Sequence, residues 1–115
     1  MPDRRATLRL PVKAKVHAKL VGGPPSKGIS CAGWLQDVSL GGLRFIGRKA
    51  LPLNAFVTLD VDFAHPAESC SLRGQVGWLC QEREQRYVIG IFVREESKER
   101  LLAWRHILER RSLHD

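Results

Sequence analysis

Two short runs in this chain combine residue types and spacing that could do chemistry. The first is Arg4-Arg5-Ala6-Thr7-Leu8-Arg9, an R-x-x-x-R with one further arginine ahead of it. Guanidinium is a planar, permanent cation whose forked N–H donors grip anionic oxygens in pairs, and its plane stacks on aromatic rings. The second run is Asp37-Val38-Ser39-Leu40-Gly41-Gly42, a D-x-S-x-x-G. It offers an acceptor-only carboxylate, a hydroxyl, and glycines that let backbone turn tightly and approach a ligand with no Cβ in the way. Each run alone has a plainer explanation. The arginines suit an exposed basic tail, and D-x-S-x-x-G suits an Asx-turn closing a β corner.

The charge distribution favours an anionic partner. Lys and Arg number 19 against 12 Asp and Glu, a net charge of +7. Arg4, Arg5, Arg9, Lys13, Lys15 and Lys19 crowd one end, with Asp3 the only acid among them. Such a surface concentrates anions, and nucleic acid, acidic lipid and a small phosphorylated ligand all fit it. Other chemistries lack their residues. Cys31, Cys70 and Cys80 form no C-x-x-C pair and read as reduced, partly buried thiols. His17, His65, His106 and His114 have no metal-ligand spacing, so no metal is expected. With no G-x-S-x-G, no P-loop, and no histidine placed to serve Asp37 and Ser39, no catalytic residues are assigned and the chain reads as a non-enzyme. There is no apolar run long enough to span a membrane and no secretory signal, which makes the cytoplasm the expected location. The initial Met favours a full protein over an excised domain.

The elements that must position these residues are mostly strands. Val12 to Leu20 alternates strictly, with Val12, Ala14, Val16, Ala18 and Leu20 on one face and Lys13, Lys15, His17 and Lys19 on the other. Residues 21–28 are loop by composition. Further strands run from Ala32 to Val38, from Leu43 to Ile46, and from Phe56 to Phe63 with Val57, Leu59, Val61 and Phe63 inward. Cys70 to Gln81 and Tyr87 to Arg94 form a hairpin, with Leu72, Val76 and Trp78 inward on the first strand. On the second strand Val88 and Phe92, or their neighbours, face inward; its apolar run suits a strand covered on both sides. Ser97 caps a closing helix whose buried face is Leu101, Trp104 and Leu108 with Ile107. The expectation is an all-β fold, a small antiparallel barrel of about six strands with a C-terminal α-helix over one opening. Residues 1–11 form a flexible arginine segment and 12–115 a single domain.

The two motifs, in this order around the first strands, resemble the signature of the PilZ family of cyclic di-GMP receptors. Gly42-Leu-Arg-Phe, the Gly-x-Val-x-Trp run at Gly74 to Trp78, Tyr87-Val-Ile-Gly-Ile-Phe92 and the final helix fit the same pattern, from Arg4 to about Arg111. The resemblance implies that Arg5 and Arg9 clamp the dinucleotide and that Asp37, Ser39, Gly41 and Gly42 meet it across one mouth of the barrel. An arginine at position 4 goes, in the family, with an intercalated pair of cyclic di-GMP molecules. Arginine's fork fits both phosphate and the O6/N7 edge of guanine, and a carboxylate fits the guanine N1–H and N2 donors. Trp78 is a weaker candidate for stacking on a guanine and reads first as a core tryptophan. Arg44 and Arg73 are candidates for a basic rim. No cofactor is implied; the partner is an unidentified protein effector, reached through an order–disorder switch of the arginine segment.

Two other readings compete. A small nucleic-acid-binding barrel would use the same basic charge, but the eight aromatic residues are expected mostly at inward or last-strand positions, leaving no exposed stripe for base stacking. A ligand-free adaptor of the same fold would lack the motif arginines, which this chain has.

Overall fold

Alternation of apolar and charged side chains builds the first strand as expected, with Ala14, Val16 and Ala18 buried and Lys15, His17 and Lys19 in solvent. The computed structural model describes residues 13–22 and 28–112. In chain order these form β1 (Ala14–Leu20), β2 (Ser30–Ser39), β3 (Gly42–Gly47), β4 (Phe56–Ala64), β5 (Ala67–Arg83), β6 (Arg86–Val93) and α1 (Lys98–Ser112). All pairings are antiparallel, and the order β1-β2-β3-β6-β5-β4 closes on itself through β1 and β4, so the barrel has no free edge.

The barrel interior is filled by the inward residues of every strand, among them Val16, Phe45, Leu59, Val61, Leu72 and Ile89. Val57, Leu59, Val61 and Phe63 all face inward as their alternation requires. Leu51, in the connection between β3 and β4, is also fully buried and plugs the interior from outside the strands. Cys31 and Cys70 are buried, and burial pushes the Cys70 thiol above its usual range, with nearby Glu95 adding to the effect.

Of three register shifts between strands, the third lying between Gln81 and Arg83 near the β5–β6 turn, two set which way the site residues point. The β2–β3 register shifts between Leu35 and Asp37, and the β5–β6 register shifts between Val76 and Trp78. Each inserts one extra residue, and because side chains alternate with period two, every residue beyond it swaps faces. Trp78, expected inward from the Leu72–Val76 spacing, therefore points out and Leu79 takes the inward place. On β6 the inward pair is Ile89 and Ile91, while Phe92 is exposed. Val88 and Gly90 are buried on the outer side, so the expected double covering holds for the middle of that strand.

Helix α1 begins where Ser97 accepts the Arg100 backbone N–H at 3.2 Å, the expected cap. Glu95 secures this junction by accepting from the backbone N–H groups of Arg73 on β5 (2.7 Å) and Ser97 (3.0 Å). Burial opposes its ionisation, but these donors and Arg100 outweigh that cost and hold its carboxyl below the usual range. Trp104, Ile107 and Leu108 are buried against the barrel. Leu101, expected among them, sits at the margin of that stripe and is about one-third exposed, and Leu102 about half. Arg111 extends the buried stripe instead. It stacks 4.1 Å from the Phe63 ring and donates to the His65 and Pro66 carbonyls and to Glu68. Among the described residues no helix is long and apolar enough to cross a membrane.

Candidate ligand-binding site

The bulge in β2 decides where Asp37 points. Without the extra residue, the inward series Cys31, Gly33, Leu35 would continue to Asp37 and bury a carboxylate in the core. With it, Val38 takes the inward position and Asp37 faces out beside Arg44. The bulge in β5 does the same for Trp78. The two meet in one cross-strand row on the outer wall: Asp37 of β2 pairs with Arg44 of β3, Arg44 with Gly90 of β6, and Gly90 with Trp78 of β5. A second row alongside it runs Ser39, Gly42, Phe92 and Gln75.

Between these rows lies a concavity of about 540 Å³. Its floor is glycine backbone at Gly42, Gly77 and Gly90, and its walls include Asp37, Arg44, Trp78 and Phe92. Close approach of backbone demands glycine at 42 and leaves little room for a side chain at 77 and 90. A Cβ at Gly42 would strike the Ile91 carbonyl, and one at Gly77 would meet the Phe92 ring. At Gly90 a Cβ would stand 3.1 Å from the Trp78 Cβ. Gly41 differs, for a Cβ there would meet nothing within 4 Å. Packing within the fold therefore does not demand glycine at 41.

Arg44 grips Asp37 through Nε, at 3.0 and 3.1 Å from the two carboxylate oxygens, and through Nη2. The hydrogen bond to Asp37 raises the Arg44 pKa further, so the guanidinium stays charged. Ser39 Oγ donates to the Gly42 carbonyl at 3.4 Å and closes the corner. An Asx-turn would have used Asp37 for that purpose; here the aspartate is instead fixed facing the concavity. One residue on, the Leu40 carbonyl accepts the Trp104 indole N–H at 3.3 Å, so the corner is tied to α1.

Of the residues selected from sequence, Asp37, Ser39, Gly41, Gly42, Arg44 and Trp78 all line this concavity. They lie on the outer wall of the barrel and not across its mouth. Arg73 is elsewhere, opposite Thr58 of β4 and outside the lining. Arg4, Arg5 and Arg9 fall outside the described residues. Reading the sequence missed Phe92 and Gly77 as parts of the site. Gly77, a glycine inside a strand pattern, is the one signal that could have revealed the bulge. Phe45, Phe63 and Trp104 are buried and Tyr87 and Phe92 lie on the last strand, the positions expected for most of the aromatics, but Trp34 (55 % exposed), Trp78 (46 %) and Phe92 (50 %) present aromatic faces to solvent where no exposed stripe was expected.

A solved structure titled as that of the Bacillus subtilis inhibitor of motility (MotI/DgrA) superposes on 99 % of this chain with a TM-score of 0.65 at 12 % identity, a likeness of fold. The chain spans about half of that protein, 54 % of its length. No curated protein matches the sequence significantly. The family model for the PilZ domain matches residues 3–107, which takes in both motifs, all six strands and most of the helix. This chain belongs to the PilZ domain family.

Proposed function

We propose that this protein is a receptor for cyclic di-GMP, bound on the outer wall of the barrel and closed over by the N-terminal arginines. The observation that carries the reading is the convergence of Asp37, Ser39, Gly41, Gly42, Arg44 and Trp78 on one concavity of about 540 Å³. The PilZ match supplies the ligand class. Asp37 accepts from the guanine N1–H and N2 donors. Its carboxylate has about four acceptor directions, and a bidentate arginine leaves part of them available. Arg44 so held keeps the acceptor aimed before the ligand arrives, which lowers the ordering cost of binding. Ser39 donates to a phosphate or guanine oxygen, Gly41 admits close approach of the ligand, and Trp78 stacks on an exposed purine face. Arg5 and Arg9 clamp phosphate and guanine, and Arg4 adds the cation that a stacked pair of dinucleotides requires.

Nothing in this scheme is catalytic. Ligand capture reorders the arginine segment and changes the surface offered to a protein effector in the cytoplasm. Titration calorimetry checks the assignment. Arg5→Ala and Arg9→Ala each lose at least ~2 kcal/mol of binding free energy, because each removes a charge-assisted contact. Arg4→Ala moves the ratio from two ligands per chain towards one. Unchanged affinity in both of the first two variants defeats the assignment.

One observation favours a second reading. Trp34, Trp78 and Phe92 are exposed on a protein of net charge +7, with Lys15 5.6 Å from the Trp34 ring and Arg94 5.2 Å from the Phe92 ring. Aromatic platforms interleaved with cations suit single-stranded nucleic acid. An oligonucleotide that binds strongly at moderate salt, with no response to the dinucleotide, supports that reading over the first.

A further inference from the structure

The outer face of α1 carries a second concavity that the dinucleotide reading does not use. Lys98, Leu101, Leu102 and Arg105 recur at i, i+3, i+4 and i+7, the spacing of one helical stripe. The buried stripe of Trp104, Ile107, Leu108 and Arg111 repeats the same spacing on the neighbouring face. Leu40, from the tip of the Ser39–Gly42 corner, leans towards the exposed stripe and closes a groove of about 310 Å³. Leu40, Leu101 and Leu102 are 39 %, 37 % and 52 % exposed, three large apolar side chains gathered where the β2–β3 corner meets a charged helix. Scattered exposed leucines need no explanation, but apolar side chains gathered in a groove mark a contact surface.

The charges name the occupant. Both ionisable residues that line the groove, Lys98 and Arg105, are basic, and no acid lines it. We infer that this groove docks an acidic amphipathic helix of a partner protein, its leucine-like side chains against Leu40, Leu101 and Leu102 and its carboxylates on Lys98 and Arg105. A helix laid in a groove presents anchors at the same i, i+3, i+4 intervals that the groove displays. The concave shape fits a peptide segment better than a flat lipid surface.

The groove also shares a part with the candidate ligand site, and in this respect the inference rests on the dinucleotide reading. Leu40 lies between Ser39 and Gly41, and its carbonyl holds the Trp104 indole at 3.3 Å. A ligand that fixes the Ser39–Gly42 corner therefore fixes one wall of the groove and its tie to α1. By linkage, ligand and partner strengthen each other's binding by the same factor.

The test uses the full chain, isotope-labelled for amide and indole NMR. It is titrated with a 16-residue leucine/glutamate helical peptide, and separately with the leucine/lysine peptide of the same pattern. The expected result is saturable shifts at Leu40, Lys98, Leu101, Leu102 and Arg105 with the acidic peptide, at least tenfold weaker binding of the basic one, and loss of binding in Leu102→Glu. Saturating cyclic di-GMP tightens the acidic peptide about fivefold or more, and Trp104→Phe reduces that gain. Equal binding of the two peptides, no binding of either, or shifts centred elsewhere overturns the surface. Concentration-dependent dimerisation abolished by Leu102→Glu assigns the groove to a second copy and also overturns it. If cyclic di-GMP binds without changing peptide affinity, the coupling is wrong. If it does not bind at all, the receptor reading fails while the peptide map still decides the groove.

Discussion

Gly41 and Gly42 are adjacent, but the fold treats them differently. A Cβ at 42 runs into the Ile91 carbonyl across the β3–β6 ladder, whereas a Cβ at 41 meets open space. Gly42→Ala is therefore expected to destabilise the protein by about 1–3 kcal/mol, the usual cost of overpacking. Gly41→Ala should leave stability within about 0.5 kcal/mol and weaken cyclic di-GMP binding. Thermal melts and calorimetry on the two variants separate the roles; a Gly41→Ala protein with unchanged affinity removes Gly41 from the site. Trp78 offers a second check at this scale. Its indole is nearly half exposed above Gly90, so Trp78→Ala should cost about 1–3 kcal/mol of binding if one guanine stacks there, with a smaller change in melting temperature. The motif residues were legible because their chemistry is local: Asp37, Ser39 and the glycines could be chosen from type and spacing alone. The facing of Trp78 was not. One inserted residue at the β5 bulge reverses it, and period-two counting carries no record of an insertion.

The strands and the helix were legible to within a few residues, because alternation and the Ser97 cap are strong signals in the chain itself. What pairing and packing decide was less so. The expected first strand began at Val12, which lies outside the described residues; among those described, the strand begins at Ala14. Leu101, expected in the buried stripe, is exposed and Arg111 is buried there, since the shape of the barrel beneath decides which edge of a helical stripe is covered. Glu95 is a further case. Beside a helix start it reads as a favourable charge, but it is the clamp that joins β5 to the helix cap. Its carboxyl is held below the usual range, so the charged form stabilises the fold at pH values above the unfolded carboxylate pKa, and that contribution fades as pH falls through the lowered folded value. Glu95→Gln should melt at lower temperature than the parent at pH 7, with the gap narrowing in acid below the carboxylate range. A gap that stays constant as pH falls through and below that range contradicts this role.

For the whole molecule, a closed barrel with the motif corner on its outer wall makes the candidate site a surface feature shaped by two bulges, so the candidate site and the core occupy opposite faces of the same strands. Asp37, Arg44, Gly90 and Trp78 share one row, and the Leu40 carbonyl links the adjoining corner to α1. The net charge of +7 draws anions of every kind, and the exposed aromatics admit more than one of them, so affinity alone does not identify the ligand. Its position does. Amide and indole NMR of the full chain titrated with cyclic di-GMP reads that position directly. The account predicts saturable shifts at Asp37, Ser39, Gly41, Gly42, Arg44, Gly90 and the Trp78 indole, together with Arg5 and Arg9. Shifts confined to the Lys15–Trp34 side of the barrel, or spread without saturation over the basic surface, contradict it.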